Sequence, residues 1–554
     1  MVTRVGDGNA NSLLGNDNED DLLQGLDGND LLRPLSQGPG GGSDVVDGGN
    51  HAQTALSFGD TLEVDVGATF EFQTVNFSLT RITSVSGRYD VIASNIENVT
   101  FAGGSGDDVF DVRGAVKATI AGRNGIDRLI VEFASATANL NISLSDTGGG
   151  TFGAVTYSSI ERLTATTGSG NDVLKGGSNA DILIGGMGND TFLGSSGWDT
   201  FDGGAGIDVV NYSVASIPLF VDLANGRLTN DTGNPLGTFF SIEAFVGGSG
   251  NDRILGDGFA NGLNGGRGND RLIGRSGDDT LLGGLGHDEL YGEAGQDRLD
   301  SGPNEDTLVG GSGKDTLLGG DHNDILQGGL HSDVIIGGGG FDRASYTDFN
   351  SKVTVNLTTG KATHSGGTDT LRTIEAVYTG NGHDIITGNS VRNILDGGRG
   401  NNTIDGKGGN DLIWGDVGRD TLKGSGGNDD IYGMDGRDII TGGLGRDRLF
   451  GNYRGDDGDK DYFVYNSVRE SPRGSLRDII EQFGKTDVID LRNIVSGKLD
   501  YRGENGYTAS SRAELLVIEN GRITGVSADI NGDGRSDLEI LVDALGLRSS
   551  NFLL

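Results

Sequence analysis

In three arrays along this chain one aliphatic residue recurs every ninth position, flanked by polar or glycyl residues. From Gly247 to Ser345 the sequence divides without a gap into eleven nonapeptides such as GGRGNDRLI, GRSGDDTLL and GGLGHDELY. Position eight is Leu or Ile in ten of them (Ile254, Leu263, Leu272, Leu281 and onward), and Ala344 ends the series. The last three residues of each unit alternate polar, apolar, polar, which predicts a very short strand with one inward side chain. The first six are rich in Gly and turn-forming, because Gly accepts positive φ and close backbone approach. A helix is excluded, since Gly at three positions in nine would cost about 1 kcal/mol each. Stacked units of this kind bury a single file of Leu and Ile between two small sheets, a thin core that needs further support.

Position six is acidic with the same regularity. It carries Asp252, Asn261, Asp270, Asp279, Asp288, Asp297, Asp306, Asp315, Asp324, Asp333 and Asp342 in the first array. A second array of eight nonapeptides, Thr379 to Phe450, has Asp384, Asn393, Asn402, Asp411, Asp420, Asp429, Asp438 and Asp447. A third has Asp172, Asp181, Asp190, Asp199 and Asp208, and weaker copies lie near Asp30, Asp108 and Asp127.

Composition narrows the reading. The chain has 554 residues with 102 Gly, only 34% hydrophobic residues and a net charge of −38. Gly falls in doublets at a period of nine, which excludes collagen. Such acidity disfavours nucleic acid and anionic lipid as partners, and no run approaches the roughly 18 apolar residues of a membrane span. There is no Cys, so disulfides and thiolate metal sites are excluded. The strict register of the Asp residues points to a cation. Carboxylates and turn carbonyls are hard oxygen donors suited to Ca²⁺, which takes about 6–8 of them. With two nonapeptides per coil, Asp residues eighteen apart stack, as Asp288 over Asp306, and an ion is expected between two such carboxylates. Asn261, Asn393 and Asn402 are expected to weaken or abolish their sites, and Pro303 and Glu305 to distort the turn before Asp306.

The pattern GGxGxDxLx resembles that of RTX (hemolysin-type calcium-binding repeat) proteins. The resemblance implies an all-β, right-handed parallel β-roll with multiple Ca²⁺ ions in its turns. The metal ligands it implies at Asp108, Asp127 and the Asp residues of the three arrays are the position-six residues named above.

Four stretches break the period, each containing an Ile-Glu pair: Ile96-Glu97, Ile160-Glu161, Ile242-Glu243 and Ile374-Glu375. Strand-like runs precede the last two, with Tyr212 and Tyr346 nearby. These stretches are expected to be longer β coils or hairpins that continue the solenoid. The resulting organisation is divergent repeats over 1–50, a β-rich region with two insertion units over 51–167, and an array over 168–213. An insertion unit follows at 214–246, then an array at 247–345, an insertion unit at 346–378, an array at 379–455 and a C-terminal module at 456–554.

That module contains Asp461-x-Phe463-x-Tyr465, Asp478-x-Ile480-x-x-Phe483, Asp487-x-Ile489-Asp490-Leu491 and the terminus Phe552-Leu553-Leu554. It resembles the C-terminal module of serralysin-type proteases and other type I secretion substrates, although Asn551 stands where that family usually has an acidic residue. The resemblance implies export through type I secretion machinery and an extracellular location, in keeping with an N-terminus that lacks the apolar run of a signal peptide. Asp529, Asn531, Asp533 and Asp537, with Gly534, match positions 1, 3, 5, 9 and 6 of an EF-type loop, a further candidate calcium site. Position 12 is Ile540 rather than Glu.

None of the six His begins an HExxH motif, and no GxSxG elbow occurs. The reading is therefore a non-catalytic, calcium-binding exoprotein with a matrix, surface or adhesion role, its partners an extracellular polysaccharide or cell surface. The alternative is the export and folding part of a larger secreted hydrolase, or a polysaccharide-acting β-helix enzyme.

Overall fold

The computed structural model describes residues 107–554 except 113–116, 146–148, 453–457, 496 and 509–511, and before residue 107 the strand segments alone. The chain divides into two compact units, Met1–Asp270 and Arg271–Leu554. Both are built of short parallel strands, and the single helical element among the described residues is a 3-10 turn at Ser549–Asn551. No helix among the described residues is long and apolar enough to cross a membrane.

The nonapeptide dictates the coil. In the second unit, Thr280–Leu285 pairs in parallel with Arg298–Pro303 in the register Leu281↔Leu299, and Arg271–Ser276 pairs with Glu289–Ala294 through Leu272↔Leu290. Each step is eighteen residues, so successive nonapeptides alternate between two stacks of strands. Leu272, Leu290, Leu308 and Leu326 line one stack and Leu281, Leu299, Leu317 and Ile335 the other, all fully buried. The core is therefore one aliphatic side chain per strand. At roughly 1.5–3 kcal/mol for each buried aliphatic, with most other positions polar or Gly, it leaves the six-residue turns to be held by other means.

Those turns need unusual backbone. Gly313, at position four, has φ +149°, and a Cβ there would lie 1.4 Å from the carbonyl oxygen of Gly295 one coil away. In three units without Gly at position four, Asn304, His322 and His331 also take positive φ. Pro303 does not distort its turn: it holds the register Gly302↔Gly320 and Pro303↔Asp321, and Asn304 supplies the positive φ.

The insertion units are coils of the same stacks with one extra strand. At 346–378, Val334–Gly339 pairs in parallel with Thr368–Arg372, which is antiparallel to Lys361–Thr363, itself antiparallel to Thr354–Asn356. The last strand then pairs in parallel with Ile385–Thr387. In the first unit, Asp199–Ala205, Pro235–Phe240, Arg227–Asn230, Leu219–Asp222 and Arg253–Leu255 follow the same order. The segments Asp44–Asp47, Asp90–Ser94, Arg81–Thr83, Phe72–Asn76 and Asp107–Asp111 repeat it. Ile96-Glu97 lies outside the described residues, as does Asp30.

The stacks run on into the C-terminal module. Ile440 is followed by Phe463, Ile489 and Phe552 in one stack, and Leu449 by Ile480 in the other. An antiparallel meander, Glu514–Asn520, Ile523–Asp529 and Leu538–Val542, joins the latter stack at Asp478–Glu481.

Candidate metal centre

Each turn places its position-six carboxylate inside the coil. Asp172, Asp181, Asp190, Asp199, Asp208 and Asp252 are buried, as are Asp270, Asp279, Asp288, Asp297, Asp306, Asp315, Asp324, Asp333 and Asp342. So are Asp384, Asp411, Asp420, Asp429, Asp438 and Asp447. Asp127 is also buried, whereas the side chain of Asp108 lies outside the described residues.

One oxygen of each carboxylate has a structural task. Asp315 Oδ1 accepts from the Asp297 N–H at 2.9 Å, Asp333 Oδ1 from the Asp315 N–H at 2.9 Å, and Asp324 Oδ1 from the Asp306 N–H at 2.9 Å. The same ladder joins Asp172 to Asp190 and Asp208, Asp411 to Asp429 and Asp447, and Asp420 to Asp438. A second ladder of opposite sense runs through position five: Asn171 Oδ1 accepts from the Asn189 N–H, Asn401 Oδ1 from Arg419 N–H and Asn428 Oδ1 from Arg446 N–H. Sequence reasoning missed this ladder, though the recurrent Asn-Asp pair is its signal.

At many positions the other oxygen is left over, although Oδ2 of Asp181 and Asp252 accepts from the Gly177 and Gly248 N–H groups and that of Asp199 from the Ser195 hydroxyl. Oδ2 of Asp190, Asp297, Asp315, Asp324, Asp333, Asp342, Asp411, Asp420 and Asp429 is buried and accepts no hydrogen bond. An uncompensated buried carboxylate oxygen is costly. Around it lie carbonyls: a Cβ built on Gly310 would meet Asp315 Oδ2 at 2.5 Å and the Gly328 carbonyl oxygen at 2.6 Å. The Gly at position one thus leaves open a corner lined by a carboxylate oxygen and main-chain carbonyls, with hard oxygens alone, the donor set Ca²⁺ prefers. The residues fit a calcium ion, which would supply the positive charge these oxygens lack. Because the row carboxylates spend Oδ1 on the neighbouring coil, Oδ2 and the turn carbonyls are the oxygens left for the ion expected between stacked turns. Among the described residues no three acidic or imidazole side chains converge as a metal cluster, so carbonyls must complete the shell.

Burial raises these carboxyls. Asp324, Asp333, Asp411, Asp420 and Asp447 are pushed up to about 7, and Asp181, Asp208, Asp252, Asp306, Asp315 and Asp429 to about 6. Desolvation is the largest cause, and neighbouring carboxylates add to it at several of these positions. A cation beside them reverses that balance by favouring the charged form.

The rows continue beyond the nonapeptides. Asp461 Oδ1 accepts from the Asp438 N–H, Asp487 Oδ1 from the Asp461 N–H and Asp478 Oδ1 from the Asp447 N–H. Burial and the Asp447 carboxylate push Asp478 up to about 9. In the insertion coils Glu takes the Asp role: Glu161, Glu243 and Glu375 accept through Oε2 from the N–H of Asp127, Asp208 and Asp342. Their signal was the Ile-Glu pair itself.

The EF-type loop closes on its own backbone. Asp529 accepts from the N–H groups of Gly532 and Gly534, Asn531 from Asp533, Asp533 from Arg535 and Asp537 from Ile530. The loop's own N–H donors thus orient Asp529, Asn531, Asp533 and Asp537, and calcium binding there is a proposal of the same kind as in the arrays.

The fold and corners define a parallel β-roll built on oxygen-lined turns. Its arrays match the model of the RTX calcium-binding nonapeptide repeat, four copies at a time, over residues 164–192, 176–210, 246–281, 273–308, 309–344, 378–413, 387–422 and 414–449. Over these arrays the chain is similar to RTX calcium-binding nonapeptide repeats. Among solved structures, the AlgE6R2 subunit of the Azotobacter vinelandii mannuronan C5-epimerase is 27% identical, covering 26% of this chain and 88% of that one, with a TM-score of 0.21. The AlgE6R3 subunit of the same epimerase is 23% identical, covering 31% and 80%, with a TM-score of 0.20. Among curated proteins none matches.

Proposed function

We propose that this chain is an exported, non-catalytic calcium-folded scaffold, with a matrix, surface or adhesion role outside the cell. The observation that carries it is the row of buried Asp Oδ2 atoms that accept no hydrogen bond and face turn carbonyls. Without a cation these turns hold like charges in line and disfavour the coil; with one they become its support. Such a chain stays open where calcium is scarce and folds where it is plentiful, which suits passage through a type I exporter. The resemblance of 456–554 to the C-terminal module of type I substrates supports that route. Neither HExxH nor GxSxG is present in the sequence, and this supports the non-catalytic role.

The test is export of the full chain from a cell carrying a type I exporter, in calcium-containing medium, against a variant lacking 456–554. The proposal requires the full chain in the medium in protease-resistant form and the variant retained in the cell. Equal amounts of both in the medium would overturn the assigned route.

A further inference from the structure

Two of the insertion units contain or adjoin hydrogen-bond donors at positions where many array carboxylates carry bare oxygens. Asp369 takes the row position after Asp333, accepting its N–H through Oδ1 at 2.9 Å. Its Oδ2, unlike that of Asp333 itself, accepts from the buried Tyr346 hydroxyl at 3.0 Å. His364 Nε2 lies 3.3 Å from Asp369 Oδ1, and His364 Nδ1 accepts from the Gly366 N–H at 3.2 Å. Since Nδ1 accepts, Nε2 carries the hydrogen and donates to Asp369. Tyr346, His364 and Asp369 are all buried.

At the other corner of this coil the six-residue turn contracts to Thr373-Ile374-Glu375. Thr373 has φ +48° and Ile374 is buried. One coil later the row residue is Asn393, whose Nδ2 donates to the Glu375 carbonyl at 3.2 Å while Oδ1 accepts from Asn389 N–H at 2.9 Å. The unit at 214–246 repeats the arrangement: Ser241 has φ +50°, and Asn261 Nδ2 donates to the Glu243 carbonyl at 3.3 Å, with Oδ1 accepting from Asp257 N–H at 2.7 Å. Two of the three Asn residues that read as weakened calcium sites, Asn261 and Asn393, therefore each follow a contracted turn and supply an N–H to its carbonyl; the third, Asn402, donates to the Gly398 and Gly415 carbonyls within an array.

We propose, on the reading of the arrays as calcium-folded, that the insertion units are joints that need fewer cations than the arrays. At 346–378 a phenol and an imidazole engage the row carboxylate Asp369, and at both units the amide of the next coil's Asn engages a carbonyl of the contracted turn. These coils then fold at lower calcium than the arrays they separate. In a solenoid, stability is a sum of coil terms and nearest-neighbour interfaces, and folding propagates from any coil already formed. A joint that needs fewer ions gives the arrays on either side a ready edge.

Hydrogen exchange with mass spectrometry on the full chain at graded calcium tests this. Peptides from 214–246 and 346–378 are expected to gain protection at several-fold lower calcium than those from 247–345 and 379–455. Identical calcium midpoints for joints and arrays would overturn the joints and leave calcium folding intact. Arrays already protected in EDTA would overturn calcium folding itself. Asn393→Asp is a second probe: it removes the donor to Glu375 and is expected to shift the 346–378 peptides to higher calcium, and no shift would contradict the amide's role.

Discussion

Asp315 accepts the backbone N–H of Asp297 at 2.9 Å through Oδ1, while its Oδ2 is buried with no hydrogen bond. The two oxygens of one carboxylate thus divide the work of the turn, one tying coil to coil and the other offered to a cation. Substitutions separate the two. Asp315→Asn keeps an acceptor and loses the charge, so the calcium midpoint of folding should rise while the calcium-saturated fold persists. Asp315→Ala also leaves the Asp297 N–H unpaired, adding a loss of about 1–3 kcal/mol. Thermal melting in saturating calcium should rank wild type, Asn and Ala in that order, and equal melting of the Asn and Ala variants would contradict the division.

Without calcium, acidity should favour the fold. Asp324, Asp333, Asp411, Asp420 and Asp447 are raised by burial from 3.8 to about 7. Folded carboxyls with raised pKa bind protons that the unfolded chain releases, so their contribution is present below the unfolded pKa and is lost as pH rises through the folded one. In EDTA the β signal by circular dichroism should therefore be larger at pH 5 than at pH 8. The opposite order would mean that the buried carboxylates do not oppose metal-free folding. With calcium present, protons compete for the same oxygens, and apparent calcium affinity should fall as pH drops across that window.

Glycine positions should differ sharply. Gly313→Ala would place a Cβ 1.4 Å from the Gly295 carbonyl oxygen in a left-handed backbone, costing about 1–3 kcal/mol or more by overpacking and strain. Gly258→Ala meets nothing within 4 Å and has ordinary φ, so its effect should stay within about 0.5 kcal/mol. Chemical denaturation in saturating calcium measures both.

The aliphatic files should carry comparable weight per coil. Leu317→Ala, fully buried between Leu299 and Ile335, should cost about 2–5 kcal/mol. Exposed Leu285 at a turn tip should tolerate Ala within about 0.5 kcal/mol. The same melts distinguish them.

The coil and its buried file were readable from the nonapeptide, because a period of nine repeated in pairs fixes both register and facing. Leu281 over Leu299 follows from spacing alone. Continuation of the rows through Asp461, Asp478 and Asp487 was not readable, because steps of 23, 26 and 31 residues replace eighteen there. The Tyr346–Asp369–His364 group was hidden for the same reason: an inserted antiparallel strand separates residues that only pairing brings together. The Glu stand-ins appeared as an Ile-Glu signature without a role, since the Glu reaches its partner N–H only when the turn contracts.

Calcium held by position-six carboxylates and turn carbonyls is proposed to support this fold. Far-UV circular dichroism of the full chain, moved from EDTA into millimolar calcium with magnesium as control, tests it most directly. A cooperative gain of β signal is expected with calcium and not with magnesium, which demands near-ideal octahedral geometry and dehydrates reluctantly. A full β spectrum already present in EDTA at neutral pH would contradict it.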